Sequence, residues 1–84
     1  MNTGRWSVPV SVLDGQGLVF DIRSARHAAD FLVLHWPEKH RDSWPHLRAQ
    51  SACLDVLQGT HEPEHAQQAF VEAARDAGII AENP

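Results

Sequence analysis

Two histidines four residues apart, His61 and His65, are the first residues in the chain with the types and spacing for chemistry. Glu62 and Glu64 stand beside them. On a continuous helix, positions i and i+4 share a face, and two imidazoles so placed are half of a zinc site. Pro63 lies between them, and proline at the opening of a helix leaves His61 outside the first regular turn. There is no HExxH pattern, and Cys53 is the only cysteine, so it has no thiolate partner. A structural zinc wants four ligands at defined spacing. The pair therefore reads as exposed polar residues flanking a helix cap, and neither metal nor cofactor is assigned.

Cys53 with a histidine could act as nucleophile and base. A catalytic thiolate wants a helix N-terminus or a nearby cation. Cys53 falls in mid-helix beside an apolar stripe, where cysteine behaves as a small core hydrophobe. No catalytic residue is assigned, and the chain reads as a non-enzyme. His35, at the end of a helix, is expected to be partly buried. There it could sense pH, or bond a carbonyl at the helix end. Asp14-Gly15-Gln16-Gly17 lacks a lysine and joins two strands, so it is a turn and not a phosphate loop.

Two Trp-Pro pairs, Trp36-Pro37 and Trp44-Pro45, bracket the charged loop Glu38–Asp42. Aromatic side chains and arginines are favoured at protein contacts. Trp36, Lys39, His40, Arg41 and Trp44 are the candidate protein-contact residues. The competing reading, which burial statistics favour, has both indoles lidding the core.

The elements that must position these residues follow from periodicity. Residues 6–13 alternate, with Trp6, Val8, Val10 and Val12 on one face; Leu18, Phe20 and Ile22 alternate after the glycine turn. Together they predict a β-hairpin. Pro9 has no N–H to donate, so it must face away from the partner strand or sit at a bulge. Any chain adding to this sheet is then expected on the second strand, or beyond a bulge. Ser24 is placed to cap a helix running to His35, with Ala28, Phe31, Leu32 and His35 as its stripe, widened by Ala29, Val33 and Trp36. Pro37 stops it. Asp42 or Ser43 caps a second helix, whose stripe is Leu47, Gln50, Ser51, Leu54 and Leu57, with Cys53 and Val56 beside it and Gly59 as its end. A third helix opens at Pro63 with a narrow stripe of Ala66, Ala69, Phe70, Ala73, Ala74 and Ala77. Gly78 closes it. Ile79-Ile80 then either fold back on the core or add a short third strand. The prediction is one α+β domain over residues 1–84, an N-terminal hairpin followed by three helices packed on one face (ββααα).

The bulk properties narrow the function classes. The chain has 84 residues, 43% hydrophobic and 21% charged, as in an ordinary globular domain. The net charge is −4 and the seven basic residues are scattered, which disfavours nucleic acid and anionic membrane surfaces. The longest apolar run, Phe31–Leu34, is far short of a membrane span. A single cysteine and the absence of a signal-peptide pattern at Met1–Trp6 point to the cytoplasm, and the chain reads as a complete small protein. Burial is marginal at this size, so a homodimer through the sheet or the helices is expected. The leading expectation is a non-enzymatic interaction or regulatory accessory that binds another protein or itself. The alternatives are a small-molecule or metal binder using the histidine-rich side, and a weak nucleic-acid factor using Arg23, Arg26, Lys39, Arg41 and Arg48.

The order of landmarks resembles a family of small bacterial proteins catalogued as a domain of unknown function, number 982. The shared landmarks begin with Trp6, Pro9-Val10 and a glycine turn. Ser24, Ala28-Ala29 and a hydrophobic helix ending in Trp36-Pro37 follow. After a variable loop come Ala52-Cys53 and Leu57-Gln58-Gly59, then Ala66–Phe70, Ala73-Ala74 and Ala77-Gly78-Ile79. The resemblance covers nearly the whole chain and implies no activity, cofactor or catalytic residue. Trp44-Pro45 lies in the variable loop.

Overall fold

In the computed structural model, residues 4–81 are described. They form β1 (Arg5–Leu13), β2 (Val19–Ser24), α1 (Ala25–Leu34), α2 (Trp44–Leu57) and α3 (Pro63–Ala77), with a single 3-10 turn at Glu38–His40 between α1 and α2. This is the expected ββααα order.

β1 and β2 pair antiparallel, but the register breaks. Arg5 pairs with Ser24 while Val10 pairs with Ile22, so residues 6–9 of β1 face only Arg23 of β2. Pro9 sits in this bulge, as its missing N–H requires. The bulge resets the alternation. Trp6 and Val12 are buried, whereas Val8, expected on the same face, is exposed. Leu18 also turns out exposed, because it belongs to the turn and β2 begins only at Val19.

The outer edge of β1 is occupied by the segment after α3. Leu13 N–H donates to Ile79 C=O at 2.8 Å, and Ala81 N–H donates to Ser11 C=O at 2.9 Å. Among the described residues this gives a single bridge, Val12 to Ile80, and no third strand. Ile79 meanwhile packs into the core. The Gln67 side-chain amide donates to Val8 C=O at the bulge, 2.8 Å away. Among the described residues, β2 is therefore the strand left with a free edge.

Helix ends follow the capping signals. Ser24 Oγ accepts from His27 N–H, and Ser43 Oγ accepts from His46 N–H. α1 ends at Leu34, ahead of Pro37, with His35 N–H donating to Phe31 C=O. α3 ends at Gly78, where Gly78 N–H donates to Arg75 C=O and Ile79 N–H to Ala74 C=O. Such paired bonds satisfy carbonyls that the last turn would otherwise leave free.

The core is built from rings surrounded by small residues. Phe31 meets Phe20, Trp36 and Phe70 edge-on at centroid distances of 5.2, 5.9 and 6.1 Å. Trp6 packs on Phe70 at 5.7 Å. With the rings filling the centre, the space between α2 and α3 takes mostly small side chains. The buried residues of α2 are His46, Ala49, Ala52, Cys53 and Val56, and those of α3 are Ala66, Ala69, Phe70, Ala73 and Ala74. The stripe expected for α3 is thus observed, and the one expected for α2 holds only in part: Cys53 and Val56 are buried and Leu57 packs against the core, but Leu47 and Leu54 do not. Leu47 is 46% exposed and Leu54 55% exposed. Leu47 and Leu54 face solvent because the core side of this helix must approach α3 closely.

Candidate functional site

Of the five residues proposed to form a contact loop, Trp36 is buried, whereas Lys39, Arg41 and Trp44 are exposed and His40 is partly so. Trp36 is only 3% exposed. Its indole stacks on His46 at 5.3 Å and meets Phe31 and Phe70 edge-on, so it lids the core and presents no surface to a partner. Trp44, on the first turn of α2, is 75% exposed. Lys39 and His40 lie in the 3-10 turn. Arg41 donates from its guanidinium to Val33 C=O at 2.8 Å, tying the loop to the end of α1.

His46 is the buried histidine, at 2% exposure, whereas His35 is exposed. The His35 ring instead lies over Phe20 at 4.9 Å, covering a half-buried side chain from outside. His46 Nδ1 accepts from Asp42 N–H at 3.0 Å. The ring proton must then sit on Nε2, which is 2.9 Å from Leu32 C=O and donates to it. Asp42 supports this with a left-handed backbone, φ 63°, that turns its N–H toward the ring. His46 thus pins the loop to α1 and carries Trp36. It was legible only through a second period in α2, namely His46, Ala49, Cys53 and Val56, which the bulkier leucine stripe outweighed.

Outside the core, two grooves flank α2. One, of about 330 Å³ between α1 and α2, is lined by Ala29, Val33, Gln50, Ser51 and Leu54, none of them charged. The other, of about 260 Å³ between α2 and α3, is lined by Trp44, Pro45, Arg48, Ala69, Glu72 and Asp76. Arg48 bridges to Glu72 at 2.9 Å across the second groove, and Arg23 lies 3.9 Å from Asp21.

The remaining candidates separate clearly. Burial pushes the Cys53 thiol up from 9.0 to about 12, so it stays protonated and buried in the core. His61 stands before α3 and His65 in its first turn, and both rings turn toward Asp55 of α2. No helix among the described residues is long and apolar enough to cross a membrane.

A family model described as "Protein of unknown function (DUF982)" matches residues 8–81. The chain belongs to this family. The DUF982 match begins within the bulge and takes in the leucine stripe, His46 and the Asp55–His65 turn. Neither a curated protein nor a solved structure matches the chain. The family is described by no activity, so no residue role comes to this chain from DUF982 itself.

Proposed function

We propose that this protein is a non-enzymatic interaction module that works as a homodimer joined through its α1–α2 face. The observation that carries the reading is the apolar stripe of α2, Leu47 and Leu54, exposed beside Val33 over an uncharged groove. Leu54, Val33 and Ala29 share one uncharged groove with Gln50 and Ser51, and a grouped exposed apolar surface favours a partner. The partner most compatible with this surface is a second copy. The net charge of −4 opposes self-association in general, but the groove lining is uncharged, so a contact there brings no like charges face to face. A two-fold contact would lay the Leu47–Leu54 ridge of one copy into the Ala29–Val33–Ser51 groove of the other.

Other features support the rest of the reading. Cys53, the strongest nucleophile in the chain, is held protonated in the core, which argues for a non-enzyme. A single buried thiol suits a reducing compartment such as the cytoplasm. Arg23 and Arg48 sit against acids, which favours a protein partner over a nucleic acid.

Sedimentation equilibrium of the full chain, with and without Leu54→Glu, tests this. The expected result is a wild-type dimer and a monomeric variant whose far-UV circular dichroism is unchanged. A wild-type chain that stays monomeric up to its solubility limit, or a variant that dimerises as well as the wild type, overturns it.

A further inference from the structure

Asp55, His61 and His65 come from three pieces of chain: the last turn of α2, the turn after it, and the first turn of α3. Asp55 Oδ2 lies 3.3 Å from His65 Nε2 and 3.9 Å from His61 Nδ1. One ligand atom from each residue lies within 4.8 Å of the other two, and the imidazoles stack at 4.1 Å. A tetrahedral zinc with bonds of about 2.0–2.1 Å sets its ligands about 3.3–3.4 Å apart. The ligand-atom spacings approach that figure, but the rings are only 19° from parallel, so at least one imidazole must turn out of the stack to aim its in-plane lone pair at a shared cation. We propose that these three residues form a binding site for a zinc-class divalent cation, a site separate from the α1–α2 face and independent of dimerisation.

Two imidazoles and one carboxylate are a borderline donor set, suited to zinc and its transition-metal neighbours and poorly suited to calcium or magnesium, which take oxygen. The turn that carries His61 is already fixed. Thr60 donates both its N–H, at 3.0 Å, and its hydroxyl, at 2.9 Å, to Asp55 C=O. Gly59 makes the turn possible with a left-handed φ of 84° that a side chain would strain. Pro63 then starts α3 and sets the direction of His65. With the Thr60 proton directed at Asp55, Thr60 Oγ1 accepts from His61 Nδ1–H, 3.1 Å away. On metal binding the ring takes its other tautomer, with the proton on Nε2 and the Nδ1 lone pair toward the cation.

The three side chains are 37–48% exposed, so the site opens to solvent. A water can complete four-coordination, and the cation can enter without unfolding. Bound there, it would clip the end of α2 to the start of α3. Pro63 removes the shared helical face of His61 and His65, as the sequence indicates, but the turn restores their proximity and Asp55 supplies a third ligand. The pattern is D-x5-H-x3-H across a glycine turn.

The test is calorimetric titration of zinc chloride into the untagged full chain, stripped of metal beforehand, in a non-chelating buffer. One cation per chain is expected, with a Kd in the micromolar range. His61→Ala, His65→Ala and Asp55→Asn should each weaken binding tenfold or more, while His35→Ala leaves it unchanged. Saturating zinc should also raise the Tm of the wild type by on the order of 10 °C but not that of His61→Ala. His61 lies in an exposed turn, so its variant keeps the fold, and matching metal-free melts would establish this. A wild-type Kd weaker than about 1 mM, or affinity retained in a His61→Ala/His65→Ala double variant, overturns the proposal.

Discussion

The chain contains the same dipeptide twice, and the two copies end in opposite places. Trp36 of Trp36-Pro37 is 3% exposed, and Trp44 of Trp44-Pro45 is 75% exposed. Composition cannot explain this, but position relative to a helix can. Trp36 follows the last turn of α1, and the chain there folds back so that the indole covers Phe31 and Phe70. Trp44 opens α2, where side chains tilt toward the N-terminus and so point past the end of the helix. Its helical neighbours at i+3, i+4 and i+7 are Leu47, Arg48 and Ser51, all exposed. Proline also serves opposite ends: Pro37 follows a helix that has stopped, and Pro45 sits in the first turn of one that is starting.

The comparison breaks most visibly at Trp36. Trp36→Ala empties the space beside two phenylalanines and a histidine, and should cost about 3–5 kcal/mol. For a domain of this size that lowers the Tm by well over 10 °C. Trp36→Phe should cost clearly less. It keeps an aromatic face on His46 and removes an indole N–H that is buried without a protein partner. A thermal melt that ranks the two variants the other way would mean that ring volume is not what holds Trp36 in place.

His46 sharpens the comparison, because it lies two residues from Trp44 and yet serves Trp36. His46→Ala leaves Leu32 C=O and Asp42 N–H without partners, and bares one face of the indole. The expected loss is about 2–4 kcal/mol in chemical denaturation, with a shift in Trp36 fluorescence as the stacked imidazole is removed. A cost below about 0.5 kcal/mol, the range of ordinary surface substitutions, would show that the loop does not depend on this histidine.

These contrasts also explain how far the sequence could be read. The hairpin, the caps at Ser24 and Ser43 and the glycine after α3 are local features, so short-range chemistry reveals them. The misread places are those where tertiary packing chooses between two locally good answers. α2 carries a leucine stripe and a stripe of His46, Ala49, Cys53 and Val56. Hydrophobicity favours the first, and close approach to α3 selects the second. Val8 satisfies the alternation, but the bulge at Pro9 breaks the count. His61 and His65 look separated by Pro63, and nothing in the helical period points to Asp55, since a turn through Gly59 brings it back. The candidate site was therefore visible as two of its three residues, and the α1–α2 face as a stripe assigned to the wrong side.

The smallest expected effect is at Trp44, and it tests the comparison from its other end. The ring borders a groove with Pro45, Arg48, Ala69, Glu72 and Asp76. Ala69, on the floor of that groove, is already buried by its own helix packing. Removing the indole uncovers little apolar surface, so Trp44→Ala should change stability by no more than about 0.5 kcal/mol. The same variant should abolish most of the iodide-quenchable tryptophan fluorescence, because Trp6 and Trp36 are buried. A loss above about 1 kcal/mol, with quenching unchanged, would mean that the indole folds over Ala69 in solution. The two Trp-Pro pairs would then share a fate after all, and α2 would present only its leucine stripe to a partner.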